Sequence, residues 1–224
     1  MSHFWNVKPE DLLVSFDGAS VHMPPEVTGS GWFSSEAQGW LHTDQSYTRN
    51  NFECVQSWVT GFDVNDGDAT LTVLEGSHKY HKEFRDTFYS DSEPSLMDWY
   101  RLNLKEVAFY KNKGCERVCI KCPAGSMVYW DSRTIHCGQE AVSNRVKPNM
   151  RCVSYLCYMP RSTSTPLNLK RKQQAFNKLV TTNHWANKPV YNDELPRQYK
   201  HNLKKITNVQ KPDVTDLGKR MAGF

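Results

Sequence analysis

The feature that most constrains the fold is a series of short alternating or apolar stretches, separated by turn signals, that fills the first 160 residues. Regularly spaced stretches of this kind are typical of β-strands and predict a sandwich or a barrel. Residues 12–16 and 19–23 flank an Asp-Gly turn and predict a β-hairpin. The strand predicted at residues 69–74 is expected to run back alongside the one at residues 52–62 after a turn. Further strands are predicted at residues 117–122, 126–130 and 151–159.

Two helices are predicted beside the strands. For the first, residues 90–95 offer capping groups, the apolar spacing from Trp99 to Tyr110 is helical, and Gly114 is placed to end it. The second is a basic amphipathic helix over residues 167–180. From residue 187 onward the polar, proline-containing sequence predicts an extended wrap or tail.

Composition narrows the class of protein. Of the 224 residues 38% are hydrophobic and 12% aromatic, which is too apolar for a disordered chain. No apolar run approaches the roughly 20 residues of a membrane helix, and the first residues lack the layout of a signal peptide. Seven cysteines, an odd number without signs of export, are predicted to be reduced thiols of a cytoplasmic protein.

Charge is distributed unevenly along the chain. From residue 161 onward there are 13 Lys and Arg against four Asp and Glu, whereas the first 160 residues carry 15 against 20. The basic part is either a solvated segment or a surface for an anionic partner such as nucleic acid. We therefore predict a β domain over residues 1–160. Residues 161–224 are predicted to be a basic helical or extended C-terminal segment, packed on that domain or trailing from it.

A His-x-Asp tripeptide carries the first sign of chemistry. In extended backbone, residues i and i+2 project to the same side, so His42 and Asp44 can meet one metal ion. A second histidine would complete the two-histidine, one-carboxylate triad of non-haem iron oxygenases. His136 follows an apolar strand and precedes a loop, which suits that role.

An arginine downstream suits a dicarboxylate cofactor. Arg151 opens the last predicted strand, and a guanidinium can bind the distal carboxylate of 2-oxoglutarate through two parallel hydrogen bonds. Arg145 lies nearer to His136 in sequence, so both arginines remain candidates. Arg145 stands in a polar loop and is expected to be solvated, whereas Arg151 is expected to face the interior with alternate residues of its strand.

Four segments carry a resemblance to a known family. They are GWLHTDQS, SWVTGFDVNDGDATLTVLEGSHK, CPAGSMVYWDSRTIHCG and RCVSYLCYMP, spread over roughly residues 10–160. Together they resemble the phytanoyl-CoA hydroxylase-like Fe(II)- and 2-oxoglutarate-dependent oxygenases. The resemblance implies a double-stranded β-helix, or jelly roll, with flanking helices and, in this chain, a basic C-terminal extension.

The same resemblance implies roles for individual residues. His42, Asp44 and His136 match the iron ligands, Arg151 matches the 2-oxoglutarate arginine, and Trp58 falls where the family places an aromatic near the active site. The implied reaction is hydroxylation of a small molecule with O2, releasing succinate and CO2. The presence of Asp44 favours hydroxylation over halogenation. Cys137-Gly138 departs from the family, which often has a small hydroxyl residue after the second histidine.

Two other classes of function remain open from the sequence. The chain could be a non-enzymatic jelly-roll binding module whose basic tail holds nucleic acid or another anion. It could also be a cupin-type metalloenzyme that does not use 2-oxoglutarate.

Overall fold

The computed structural model describes residues 1–33, 40–89, 97–191 and 209–224. Within these ranges the fold is mainly β, as predicted, with two five-stranded sheets built from antiparallel pairs. The strands are β1 Leu12–Val14, β2 Ala19–His22, β3 His42–Thr43, β4 Val55–Thr60, β5 Thr70–Leu74, β6 Tyr100–Arg101, β7 Arg117–Cys119, β8 Met127–Asp131, β9 His136–Gln139 and β10 Arg151–Pro160.

Six α-helices accompany the strands in the described part of the chain. None of them is long and apolar enough to span a membrane. They are α1 Ser2–Trp5, α2 Pro25–Thr28, α3 His81–Phe88, α4 Leu104–Asn112, α5 Pro166–Lys178 and α6 Asp216–Met221.

The chain divides into two compact units, the first made of residues 1–18 and 155–224. In this unit β1 pairs with the end of β10, so that Leu12 lies opposite Pro160. Helix α5 confirms the helix predicted over 167–180. The Arg161 guanidinium donates hydrogen bonds to backbone carbonyls at the end of the chain, including that of Phe224 at 3.0 Å. Residues predicted as a separate C-terminal segment thus share a unit with β1, and the boundary at residue 160 stays a prediction.

The second unit, residues 19–154, contains the sheet in the order β6-β3-β9-β5-β7. It also contains β2, the start of β10, β4 and β8, with β4 paired to β8 and β2 paired to β10. Helices α3 and α4 contribute Phe84 and Tyr110 to a core cluster that also receives Leu41, Ile135 and Cys137 from around β3 and β9.

Two predicted strand connections are wrong, although the strands themselves form. Strands β1 and β2 do not make a hairpin with each other, because each pairs with a different part of β10. A ten-residue strand is long enough to take two short partners in succession. Likewise β5 does not return along β4; it pairs with β7 and β9 in the other sheet.

The helix predicted from residue 90 begins later than expected. Its predicted capping residues, 90–95, lie outside the described residues. Asn103 is the actual cap: its side chain accepts from the Glu106 N–H at 3.1 Å, and the Glu106 carboxylate accepts from the Asn103 N–H at 2.7 Å. This reciprocal capping box satisfies two amides that would otherwise lack partners. Trp99 therefore lies outside the helix, and Tyr100–Arg101 form strand β6 instead.

Arg145 is not solvated, contrary to the prediction from its polar loop. Its side chain is 0% exposed and forms ion pairs with Glu26 of α2 and with Asp68, whose side chain is 4% exposed. Asp68 also accepts a hydrogen bond from the Asn149 N–H at 3.2 Å. These contacts join three segments that are far apart in sequence, which is why the loop sequence alone did not indicate them.

We expect Arg145→Ala to lower the free energy of unfolding by about 3 kcal/mol, because it leaves the Asp68 carboxylate buried without its cation. Chemical denaturation followed by circular dichroism measures this loss. Glu26→Gln, which keeps a hydrogen-bond acceptor at a partly exposed position, should cost much less. Equal losses in the two variants would contradict the role assigned to Asp68.

Candidate metal centre

The pairing of β3 with β9 brings two distant histidines face to face. His42 and His136 are direct cross-strand partners, and such partners have Cβ atoms about 4.5–5.5 Å apart on the same face of a sheet. Their ring centroids lie 4.3 Å apart, and the residues are only 4% and 5% exposed. The pairing of β3 with β9 therefore brings two buried imidazoles together.

Asp44 completes the cluster from the residue after β3. Its Oδ1 lies 3.6 Å from Nε2 of His42, and its Oδ2 lies 3.3 Å from Nε2 of His136. One ligand atom from each residue falls within 4.8 Å of the others, and no other group of three potential ligands meets this condition among the described residues. The predicted triad is thus assembled in space, with two nitrogen donors and one carboxylate.

Backbone carbonyls orient both imidazole rings. Nδ1 of His42 lies 3.0 Å from the Trp40 carbonyl oxygen, and Nδ1 of His136 lies 2.9 Å from that of Thr134. A carbonyl oxygen can only accept, so each Nδ1 must carry the hydrogen. In a neutral ring this leaves the Nε2 lone pair free, and both Nε2 atoms point to Asp44. Metal-binding histidines are commonly oriented by this type of hydrogen bond.

The ionisation of the cluster also suits a cation. Burial raises the pKa of the Asp44 carboxyl, but its contacts with His136 and His42 outweigh burial and hold that pKa well below its ordinary value. Burial lowers the pKa of His42, and the neighbouring His136 lowers it further. A carboxylate beside a neutral imidazole is the state in which these groups bind a metal ion.

Gln56 of β4 holds the Asp44 carboxylate from the other sheet. Its Nε2 donates a hydrogen bond to Oδ2 of Asp44 at 2.8 Å. The opposite orientation of the amide would place two acceptors against each other, so the assignment follows from the chemistry. The sequence analysis missed this residue. The available signal was a polar pair, Gln56 and Ser57, between Val55 and Trp58 of a predicted strand.

The loop that follows Asp44 is fixed by a buried polar network. Ser132 accepts from the Asp44 N–H at 3.3 Å through its carbonyl, and its hydroxyl donates to Oε1 of Gln45 at 2.7 Å. The Gln45 amide in turn donates to the carbonyls of Arg49 and Asn51. Gln45 and Ser132 are both 0% exposed. The backbone that carries Asp44 is therefore held on both sides, which limits its movement relative to the histidines.

Three indole rings surround the histidines. Trp40 stacks on His42 with centroids 4.6 Å apart and an interplanar angle of 7°. Trp99 lies 5.7 Å from His42, and Trp130 lies 5.4 Å from His136. None of the three was predicted to lie at the site, since Trp99 was assigned to a helix core and Trp40 and Trp130 were given no role.

Arg151 and Trp58 lie on one face of the sheet that contains β10, β4 and β8. The Gly61 N–H donates to the Cys152 carbonyl, and a Cβ on Gly61 would lie 3.9 Å from that of Cys152, so these two residues share a face. Because side chains alternate along a strand, Arg151 projects from the opposite face, which also carries Trp58 and Gln56. Arg151 is 7% exposed and Trp58 is 1% exposed. Arg151 and Trp58, which are predicted to bind the cofactor, are thus both buried on the same face as Gln56, and Gln56 contacts Asp44.

That face also presents unsatisfied polar atoms. Nε1 of Trp58, Nε1 of Trp130 and Oε1 of Gln56 are buried and have no hydrogen-bond partner in the described protein. Gln56 and Trp130 are direct cross-strand partners, so their side chains lie together. Buried polar atoms without partners are costly, and such atoms beside a possible metal site indicate a place for a bound polar group.

We expect Gln56→Leu to weaken Fe(II) binding by about 10- to 100-fold, the usual effect of removing a residue that orients a metal ligand. Anaerobic titration of the metal-free protein with Fe(II) or Co(II) measures the affinity. Gln139→Leu is the matched control, because Gln139 lies three residues after His136 on the other face of β9 and contacts Thr72 and Cys119 instead. An unchanged affinity in Gln56→Leu would refute the orienting role.

Comparison with known proteins gives distant relatives. No family model matches the chain. A curated protein, Ava biosynthesis cluster protein O of Aspergillus versicolor, is 23% identical over 194 residues, which cover 83% of this chain and 60% of the relative. The chain therefore spans about 60% of the length of this relative.

Solved structures overlap with part of the chain. GIG2 (DUF1479) from Candida albicans has a TM-score of 0.43 at 19% identity, covering 59% of this chain and 33% of GIG2. EctD from S. alaskensis, crystallised with 2-oxoglutarate and 5-hydroxyectoine, has a TM-score of 0.39 at 14% identity over 65% of this chain and 46% of EctD. The epimerase SnoN, crystallised with Fe3+, alpha-ketoglutarate and nogalamycin RO, has a TM-score of 0.34 at 18% identity over 67% and 48%. Each overlap covers less than half of the solved structure.

Proposed function

We propose that the chain is an Fe(II)- and 2-oxoglutarate-dependent oxygenase that hydroxylates a small molecule. The observation that carries the proposal is the cluster of His42, Asp44 and His136, whose ligand atoms lie within 4.8 Å of one another. Two imidazoles and one carboxylate leave other coordination positions open, which is the arrangement that non-haem Fe(II) oxygenases use.

The donor set fits iron and differs from that of structural zinc, Mg²⁺ and Ca²⁺ sites. Catalytic zinc can use the same three donors, so the choice of iron rests on the adjoining face proposed for 2-oxoglutarate. Structural zinc sites use four protein ligands, often cysteines, whereas this cluster offers three ligands without sulfur. Mg²⁺ and Ca²⁺ prefer oxygen ligands throughout. The two carbonyl-oriented rings and the Gln56 contact to Asp44 supply the supporting hydrogen bonds that a metal site requires.

The adjoining face fits 2-oxoglutarate. We assign its distal carboxylate to Arg151, whose buried guanidinium matches a carboxylate in charge and geometry. The unpaired indole N–H of Trp58 lies on the same face and can donate to a carboxylate or keto oxygen. The other candidate, Arg145, forms buried ion pairs with Glu26 and Asp68, which argues against it for this role.

The protein's own residues have three tasks in the proposed reaction. Asp44 and the histidines fix the metal, Arg151 and Trp58 orient the co-substrate, and the largely buried Trp130 beside His136 restricts the access of water. Bound Fe(II) and 2-oxoglutarate supply an oxidant made from O2, with succinate and CO2 as co-products. Because Asp44 occupies the third protein position, we propose hydroxylation rather than halogenation.

The proposal extends to the fold and the family. We propose that the two sheets of residues 19–154 belong to a double-stranded β-helix of the phytanoyl-CoA hydroxylase-like type. The antiparallel pairing of the strands, a His-x-Asp at the end of one strand and a histidine at the start of another support it. A nucleic-acid partner for the basic C-terminal segment stays a prediction, because residues 192–208 lie outside the described chain.

The direct test is co-substrate turnover. Purified protein with Fe(II), O2 and 2-oxoglutarate should form succinate slowly even without the hydroxylated substrate, and His136→Ala should lose this activity while circular dichroism stays unchanged. His78→Ala removes a histidine outside the metal cluster and should retain it. Fe(II) binding without succinate formation in the wild type would favour a metalloenzyme that does not use 2-oxoglutarate. No metal binding at all would favour a non-enzymatic binding module.

Arg151→Ala should weaken 2-oxoglutarate use by roughly 30-fold to several thousand-fold, since truncating one partner of a buried charge pair costs about 2–5 kcal/mol. Arg151→Lys keeps the charge but loses the planar fork, so partial use is expected. Saturation curves for 2-oxoglutarate, measured by succinate formation, separate the three proteins. A wild-type KM in Arg151→Ala would remove this residue from the cofactor site.

A further inference from the structure

A third element of the site is the edge strand β6. It pairs with β3 so that Arg101 lies directly opposite His42 and Tyr100 lies opposite Thr43. Tyr100 packs on the core cluster, with its ring 5.6 Å from that of Tyr47. Directly opposite residues share a face of the sheet, and neighbours along a strand alternate. Arg101 therefore projects from the face that carries His42.

Two tryptophans belong to this face by the same alternation. Trp40 precedes His42 by two residues and stacks on its ring, and Trp99 precedes Arg101 by two residues and also contacts His42. Trp40 is 44% exposed and Trp99 is 48% exposed, whereas His42 is 4% exposed. Half-exposed indoles against a buried metal ligand form an aromatic surface through which a ligand can reach the metal.

The charge on this surface is positive. Arg101 is exposed and has no ion pair or hydrogen bond with any described side chain. Two described anions close to it in the fold or the sequence are occupied: Asp44 belongs to the metal cluster, and Asp98 is paired with Arg49. Indole faces also attract cations, but an unpaired guanidinium beside them opposes a positively charged ligand.

We propose that Trp40, Trp99 and Arg101 form the substrate subsite of the metal centre and that it takes aromatic carboxylates. The planar ring of such a ligand stacks on the indoles, and its carboxylate pairs with Arg101. The assignment as a substrate subsite rests on the proposed function, but the binding chemistry follows from these three residues alone. Arg151 lies on a strand of the other sheet. It belongs to the separate site proposed above for 2-oxoglutarate.

Binding of matched probes tests the proposal without turnover. The probes are 2-naphthoate, the neutral 2-naphthylmethanol, the cationic 2-naphthylmethylamine and the non-aromatic cyclohexanecarboxylate. Each is titrated by calorimetry into full-length protein holding Fe(II) and 2-oxoglutarate under anaerobic conditions. We expect 2-naphthoate to bind most tightly of the four, with an affinity that does not fall as the 2-oxoglutarate concentration is raised. Competition with 2-oxoglutarate would mean that the probe occupies the co-substrate site and would overturn the assignment.

Two variants then test whether Arg101 binds the carboxylate of the probe and whether Trp99 binds its ring. Arg101→Gln should weaken 2-naphthoate by about 5-fold or more, the effect of losing roughly 1 kcal/mol, and leave 2-naphthylmethanol unchanged. Trp99→Leu should weaken both by about 2- to 10-fold. Arg171→Gln, which removes an exposed charge from α5, is the control and should change neither affinity.

The outcomes distinguish this inference from the proposed function. Tightest binding of 2-naphthylmethylamine, or a loss in Arg101→Gln that is equal for the acid and the alcohol, would overturn the subsite. Binding that depends on Trp99 and Arg101 in a protein that forms no succinate would leave the subsite standing and reject the oxygenase. Succinate formation by a protein that shows no preference for 2-naphthoate would support the oxygenase and reject the subsite.

Discussion

The backbone register between β3 and β9 is the constraint on which the site depends. It places His42 opposite His136, although 94 residues separate them in sequence. A shift of one residue would turn Thr43 or Cys137 toward the metal side and send a histidine into the core. The register is held from the other face, where Tyr47, Phe84 and Tyr110 pack against the same sheet. The geometry of the cluster is therefore a product of core packing as much as of its own side chains.

The parts of the site that follow from local backbone geometry could be predicted. His42 and Asp44 share a side because they are two residues apart, and Arg151 is buried because it begins a strand whose alternate residues Val153 and Cys157 are buried as well. The existence and type of most strands followed from their alternation. These inferences needed no knowledge of which strands pair.

The rest depended on pairing between segments that are distant in sequence. The partners of β1, β2 and β5 were wrong because turn residues predict that a chain reverses, but not which strand it then joins. Arg145 was predicted to be exposed because its ion-pair partners, Glu26 and Asp68, lie 119 and 77 residues away. Gln56 and Arg101 were missed for the same reason: Gln56 contacts Asp44 from the other sheet, and Arg101 lies opposite His42 on β6.

The position of β6 has a consequence for how such a chain could diverge. Strand β6 lies at the edge of its sheet and has two residues, and its inward side chain, Tyr100, belongs to the core, whereas Trp99 and Arg101 face the exposed side. Replacing the latter two alters no metal ligand and removes no residue of the core cluster. With the subsite proposed above, ligand preference can change in descendants through Trp99 and Arg101 while His42, Asp44 and His136 stay the same.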